Sequence, residues 1–529
     1  MKKTSFKILL ILSVISGILL SIPFIMPSTG IISFVAFLPL FAAEYLATRD
    51  KVRNFWICYF TAFLVWNIFT TYWIWYATEA GAVAAIILNS LQMVVIFRVF
   101  RWSRKRSATL LPYLLFAFLW CGWEHFYQTW QVTWPWLTLG NGFADSIKHI
   151  QWYEVTGTIG GSLWILLVNI LLFRAVTRVI ERRRSRWFAV AALALAVIPS
   201  VISHIRFYTY KTESPVTKQV AILQPNIDPY GDKFGGLTQS QQNDILFMLA
   251  DSSLTDTTFL VVAPETFFNP SESAGVIMEG STVANATLQR FQNLAAEKNT
   301  NVIFGAVTHK FYPTPSKPTR SARASGPSWY DVFNTAIFLT PEGSVSYHHK
   351  SKLVILAETI PYIGNKSVFG SLGIDLGGGI GNYGVDPYRT IFHAADNVNI
   401  GTAVCYESVF GDYFRDYIRG GANLMTIITN DGWWRNTWGH IQHLHYASLR
   451  AIETRRDIAR SANTGISAFI NQRGEITQQT PWWEKAYLSG VVTLNNSITP
   501  FVKFGDVVGV ASFYLAIALI LMFLFKRKV

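Results

Sequence analysis

Charge is scarce in this chain. Only 15% of its 529 residues are Asp, Glu, Lys or Arg, against about 25% in soluble domains, while 51% are hydrophobic and the mean hydropathy is +0.27. A disordered chain is excluded, and a wholly soluble one is disfavoured. Cysteine is scarcer still, at three residues. Acidic residues are outnumbered, giving a formal charge of +13. That excess raises nucleic acid as a partner until its location along the chain is considered.

Several long stretches carry no charge at all: 8–43, 54–78, 80–97, 107–123, 155–173, 187–203 and 507–525. The first is too long for one span of about 20 residues, and Pro-Ser-Thr-Gly at 27–30 divides it. The reading is eight membrane helices. Lys2, Lys3 and Lys7 before the first run resemble a signal peptide. No small-x-small cleavage site precedes the next run, so the first helix is expected to be retained.

Placing the N-terminus inside puts 20 Lys and Arg on the cytoplasmic side and only Lys148 in the short outer loops. This positive-inside asymmetry predicts both termini in the cytoplasm and residues 204–506 outside. It also accounts for the net charge. The membrane half and tail carry +14 and residues 204–506 carry −1, so no nucleic-acid partner is expected.

Residues 204–506 have mixed polarity and no long apolar run. Predicted strands are 219–223, 259–263, 302–307, 334–339, 345–348, 399–404 and 424–429. Predicted helices cover about 239–254, 283–298, 408–419 and 438–460. The alternation points to an α/β sandwich. Residues 310–328, rich in Pro, Ser, Lys and Arg, read as a mobile loop.

Cys58 and Cys121 fall within apolar runs, leaving Cys405 alone in the outer domain. In an oxidising compartment an unpaired Cys suggests a reactive thiol, or else a small buried hydrophobe. It ends the apolar strand Asn399–Val404, with Glu407 two residues on, a place where backbone N–H groups can meet an oxyanion. Glu265 likewise follows an apolar strand and Pro264, which suits a general base with a raised pKa, or a turn-capping carboxylate. Lys350 and Lys352 both follow the strand at 345–348, and position alone does not choose between them.

The order Glu, Lys, Cys at strand ends resembles the nitrilase superfamily. Pro264-Glu265, Tyr347-x-x-Lys350 and Val404-Cys405-Tyr406-Glu407 are similar to its three signature boxes. Asn334-Thr335, Thr429-Asn-Asp-Gly-Trp-Trp, Gln442-His443, Arg450-Ala451 and the helix running through Arg460 extend the likeness. With eight spans and the Trp134-Pro-Trp-Leu loop, the whole chain resembles the membrane-embedded branch of apolipoprotein N-acyltransferases. The family places an essential Glu eight residues after its catalytic Lys. Glu358 meets that spacing from Lys350, whereas Ile360 stands eight after Lys352. Val354-Ile-Leu-Ala-Glu358 departs from the family's usual Val-Pro-Phe-Gly-Glu, so the shape of that loop stays open.

The resemblance implies an extracytoplasmic αββα sandwich on a polytopic helical membrane domain. Residues 1–203 would hold seven spans, 204–506 the periplasmic catalytic domain and 507–529 the eighth span with a cytoplasmic tail. It implies a ping-pong acyl transfer in the bacterial inner membrane. Glu265 would be the base, Lys350 the oxyanion's positive partner and Cys405 the nucleophile, with Glu358, Glu407 and Tyr406 supporting. The donor would be a phospholipid, usually phosphatidylethanolamine, and the acceptor the α-amino group of a diacylated apolipoprotein. No cofactor is implied. His440, His443 and His445 do not match a familiar metal-ligand spacing. A monomer is expected. Rival readings are a membrane-bound amidase or hydrolase with the same trio, a non-catalytic lipid-binding module, and a transporter. Spans almost free of ionisable residues count against the last.

Overall fold

The computed structural model describes residues 4–107, 109–212, 215–268, 277–280, 285–359, 362–363, 366–367 and 383–525. Lys2, Lys3, Lys526, Arg527, Lys528 and most of the segment 354–380 lie outside them. The chain forms two compact units. One is Met1–Tyr210 with Phe504–Val529, and the other is Lys211–Lys503.

The first unit is helical. Among the described residues, six helical segments are long and apolar enough to cross a membrane: Phe6–Ile25, Gly30–Arg49, Glu79–Arg104, Tyr153–Ile180, Arg186–Thr209 and Val507–Phe525. The other two predicted runs fold as Trp56–Thr71 and Leu111–Tyr127, of 16 and 17 residues. The Gly30–Arg49 segment is broken into a 3-10 turn, Gly30–Val35, and an α-helix, Leu38–Arg49. Asn169 repairs the break: its amide donates to Ser33 O at 2.7 Å and its carbonyl accepts the Phe37 N–H at 2.9 Å. Backbone groups that apolar surroundings cannot satisfy need such partners. Buried rings of Phe37, Phe41, Phe97, Phe116 and Trp120 form the centre of this unit.

The second unit packs two sheets face to face. The larger has the order Ala486–Leu494, Val216–Gln224, Thr258–Val262, Asn301–Tyr312, Ser328–Leu339, Arg323–Ser325, with Val345–His349 also paired to Ser328–Leu339. The smaller runs Ile391–His393, Asn399–Val404, Leu424–Thr429, Ile458–Ala462, Ala468–Ile470, Ile476–Gln479. Alternate residues of each strand face the shared core: Val220, Ile222, Leu260 and Val262 from one sheet meet Ile400, Val404, Leu424 and Ile428 from the other. The opposite faces of the first sheet's strands, with Leu223, Val261 and Phe304, pack on helices Gln239–Ser253 and Ala286–Glu297 through Leu246, Phe247 and Phe291. Helices Gly411–Arg419 and Trp438–Thr454 pack on the second sheet. The layers are αββα. Strands buried on both faces read as continuous apolar runs, which is why the parallel pairs were legible.

Two expectations need correction. The helix expected over 438–460 ends at Thr454, because Arg455 takes a left-handed conformation with φ 51°. Ile458–Ala462 is instead a strand parallel to Leu424–Thr429. Arg455, Arg456 and Arg460, which fall in the expected helix, are all buried and donate to carbonyls or to a carboxylate. The segment 310–328, expected as a loop, holds strand as well. Asn301–Tyr312 and Ser328–Leu339 pair along their full length, and Arg323–Ser325 turns back onto Ser328–Tyr330.

Candidate active site

Glu265, Lys350 and Cys405 each lie just past the end of a strand of the second unit. Glu265 is held by Gly305 of the neighbouring strand. The Gly305 N–H donates to Pro264 O at 3.0 Å and its carbonyl accepts the Phe267 N–H at 2.9 Å. A Cβ at Gly305 would stand 2.5 Å from Glu265 Cα, so this approach needs glycine.

Lys350 is buried, and its Nζ donates to Glu265 Oε1 and to Glu358 Oε1, both at 2.9 Å. Asn334 Nδ2 lies between the same two oxygens, at 2.8 Å from Glu265 and 3.0 Å from Glu358. Its backbone carbonyl also accepts the Lys350 N–H at 2.8 Å. Glu358 reaches Lys350 because its loop closes on itself: Glu358 Oε2 accepts the Val354 N–H, and the Glu358 N–H donates to Val354 O, each at 2.8 Å. The departed segment therefore still delivers a carboxylate to the ammonium. Lys352 points elsewhere, with its ammonium 4.7 Å from the Phe410 ring centroid.

Cys405 opens the 3-10 turn Cys405–Val409 with φ 51°. A non-glycine residue in that region is strained and persists only where its surroundings hold it. Two networks do so. Glu407, fully buried, accepts the Val404 N–H at 2.8 Å, the Ser351 N–H at 2.6 Å, the Tyr413 hydroxyl at 2.5 Å and His348 Nε2 at 3.2 Å. It therefore ties the turn to the backbone beside Lys350. On the other side, the Cys405 carbonyl accepts Ser408 Oγ at 2.7 Å and His443 Nε2 at 3.2 Å. His443 Nδ1 lies 3.0 Å from Asp431 Oδ1, which also accepts Thr429 Oγ1 at 2.7 Å, while Arg460 bonds the other Asp431 oxygen. Tyr406 follows in the turn, its ring edge-on to Phe410 at 5.0 Å.

The electrostatics sort the roles. Burial alone lowers the Lys350 pKa, but the Glu265 and Glu358 carboxylates outweigh it and hold the ammonium well above its ordinary value. Burial pushes the Cys405 thiol well up, the Glu265 charge adds to this, and Lys350 opposes it. The resting thiol is thus protonated at neutral pH and needs a base. Burial raises Glu407, yet His348, the Ser351 N–H and Tyr413 pull it below the usual carboxylate range. It stays an anion that clamps rather than a proton carrier.

Asn334, Ser408, Asp431 and His443 fall within or beside the quoted motifs, but no site role was expected of them. Their polar, buried positions carry no sequence signal that separates them from ordinary core residues. Lys233 was missed as well. It is buried, donates to Thr266 Oγ1 at 3.0 Å beside Glu265, and burial lowers its pKa to about 8. Among the tryptophans of this unit, Trp482 stacks on His440 at 3.7 Å, Trp433 meets Tyr230 edge-on at 5.5 Å and Trp434 meets His443 edge-on at 5.6 Å.

Residues 16–171 match the apolipoprotein N-acyltransferase N-terminal domain, and residues 219–498 match the carbon-nitrogen hydrolase family. The chain is 27% identical over 510 residues to the apolipoprotein N-acyltransferase of Chlorobaculum tepidum, covering 94% of this chain and 93% of that protein. It is 27% identical over 515 residues to that of Geobacter metallireducens, covering 94% and 92%. Among solved structures, Saccharomyces cerevisiae Nit3, of the nitrilase superfamily, aligns at 14% identity and TM-score 0.38 over 54% of this chain and 92% of that one.

Proposed function

The chain belongs to the carbon-nitrogen hydrolase family and carries an apolipoprotein N-acyltransferase N-terminal domain, and from that premise we propose that it is a phospholipid:apolipoprotein N-acyltransferase working through a Cys405 thioester. It is a membrane-embedded acyltransferase with a lipid donor and a lipoprotein acceptor. We assign phosphatidylethanolamine as the donor, and the enzyme acts as a monomer. The membrane part is residues 1–203 and 507–529, crossing the bacterial inner membrane eight times with both termini cytoplasmic. Residues 204–506 are the periplasmic catalytic domain. The two shorter helices, Trp56–Thr71 and Leu111–Tyr127, complete the eight.

The observation that carries the mechanism is one ammonium, Lys350, bonded to the Glu265 carboxylate and acting on the Cys405 thiol. Glu265 takes the thiol proton, and sulfur attacks the donor's ester carbonyl. The carbon–sulfur bond forms, and Lys350 together with the Tyr406 N–H meets the oxyanion. The ester C–O bond then breaks, and Glu265 returns the proton to the departing lysophospholipid alkoxide. In the second half the α-amino group of the diacylglyceryl-cysteine attacks the thioester. The amide C–N bond forms, the C–S bond breaks, and the amine's proton passes to Glu265 and back to the thiolate. Glu358, Asn334 and Glu407 hold the reacting groups in place.

Intact-protein mass spectrometry with phosphatidylethanolamine and no acceptor tests this. An acyl mass on the Cys405 peptide, removed by hydroxylamine and transferred to a diacylated lipopeptide, is expected. Loss of that mass to water regardless of lipopeptide would favour an amidase-like hydrolase. No adduct would sink the nucleophile assignment.

A further inference from the structure

We propose that the membrane unit carries a second ligand site, built around Glu124, that takes a lipid-borne primary ammonium group. Glu124 lies near the end of helix Leu111–Tyr127 and is 9% exposed. Its Oε1 accepts Trp120 Nε1 and the Leu139 N–H, both at 2.9 Å. Its Oε2 is buried with no cation against it among the described residues, and the Ser162 hydroxyl is the further hydrogen-bond donor to the carboxylate. Nearby basic side chains are engaged elsewhere: Arg101 of helix Glu79–Arg104 faces Glu44 at 3.6 Å, and His125, on the same helix as Glu124, pairs with Asp506 at 2.8 Å. A buried carboxylate without a cation is costly, and an ionisable group within a span marks a functional site.

The carboxylate lines a small cavity of about 20 Å³, shared with Asn89, Trp120, Trp123, Tyr127 and Trp134. That space holds one group the size of a water molecule, which is also the size of an ammonium head. The Trp120 and Trp123 N–H groups are already committed, to Glu124 Oε1 and to Gln92 Oε1 at 3.2 Å. The indoles therefore offer the cavity ring surface rather than donors. Aromatic rings beside one anionic oxygen favour an alkylammonium over an anion or a neutral hydroxyl. With the orientation proposed above, Glu124 lies at the outer end of its helix, the level of lipid head groups.

The acyltransferase reading supplies two such amines, and the site rests on that reading only for naming them. One is the ethanolamine head of the donor, and the other is the α-amino group of the diacylated acceptor.

The test uses full-length protein carrying Cys405→Ala, so that no lipid is consumed. Native mass spectrometry reads the ratio of phosphatidylethanolamine to phosphatidylglycerol retained from an equal mixture with matched acyl chains. A second arm compares a diacylated lipopeptide bearing a free or an acetylated α-amino group. Glu124→Gln keeps Oε1 as an acceptor for Trp120 and Leu139 and removes the charge. It is expected to lower the preference for the amine-bearing lipid in one arm by about fivefold or more, and the responding arm identifies the amine. Trp123→Leu is expected to lower it in the same arm, and decides the question alone if Glu124→Gln does not fold. Unchanged ratios in both arms would overturn the site and leave a cavity for water only. Because the assay reads binding without turnover, a failure of acyl transfer in the Cys405 enzyme would show separately.

Discussion

Glu358 accepts the Lys350 ammonium at 2.9 Å, the same distance at which Glu265 accepts it. The two carboxylates share one cation, and Glu358 fixes Lys350 beside Glu265. Replacing Glu358 with Gln leaves an acceptor but removes a charge that fixes Lys350. The expected result is a fall in kcat of about 10- to 100-fold, with the KM for lipopeptide little changed. Lys350→Met removes the oxyanion partner assigned in the proposed mechanism and should cost about 100- to 1000-fold in acyl-enzyme formation. Single-turnover appearance of the Cys405 acyl mass checks both.

The Cys405 thiol is raised by burial and by Glu265 and lowered by Lys350. A negative neighbour disfavours the thiolate and a positive one favours it. Glu265→Gln should therefore move the midpoint of Cys405 alkylation by iodoacetamide to lower pH, and Lys350→Met should move it to higher pH. Each shift is expected to be about one pH unit or more. Glu265→Gln should lose acyl transfer even while its thiol alkylates more readily. Identical midpoints in both variants would contradict the charge arrangement.

Gly305 admits the backbone of Glu265, with Thr266 N also 2.5 Å from where a Cβ would stand. Both contacts are backbone atoms that cannot swing aside. Gly305→Ala should displace Glu265 from Lys350 and from Asn334, and lower acyl-enzyme formation while leaving the thermal midpoint of the second unit little changed. Wild-type turnover in Gly305→Ala would show that the base tolerates another position.

His443 bridges Asp431 to the Cys405 carbonyl within a fully buried chain. It touches no reacting atom and acts by holding the strained turn. His443→Phe leaves the Cys405 carbonyl with Ser408 alone and Asp431 Oδ1 with Thr429 alone, so kcat should drop about 10- to 100-fold. Its mark as a positioning residue is an unchanged KM for phospholipid. Restoration of part of kcat by His443→Gln, which can still donate to the carbonyl, would support the same role.

Apolar runs separated by basic loops were legible as helices because lack of charge over about 20 residues is a one-dimensional property. Asn399–Val404 and Leu424–Thr429 were legible for a related reason, since parallel strands buried on both faces are apolar throughout. Glu265 and Cys405 stood out as polar groups just past the apolar strands Thr258–Val262 and Asn399–Val404, whereas Lys350 was told from Lys352 only by the spacing to Glu358 that the resemblance implied. Ile458–Ala462 was not legible, because Arg460 within it is neutralised by Asp431, 29 residues earlier in the chain. The sequence alone determined which residues end the strands and which stretches are free of charge, because both depend on neighbours in the chain. Only the tertiary structure decided that Glu358 and Asn334 share the Lys350 site, that His443 braces Cys405, and that Glu124 faces a cavity without a cation. Those relations join residues far apart in sequence, and their energies arise only once burial removes water from between them.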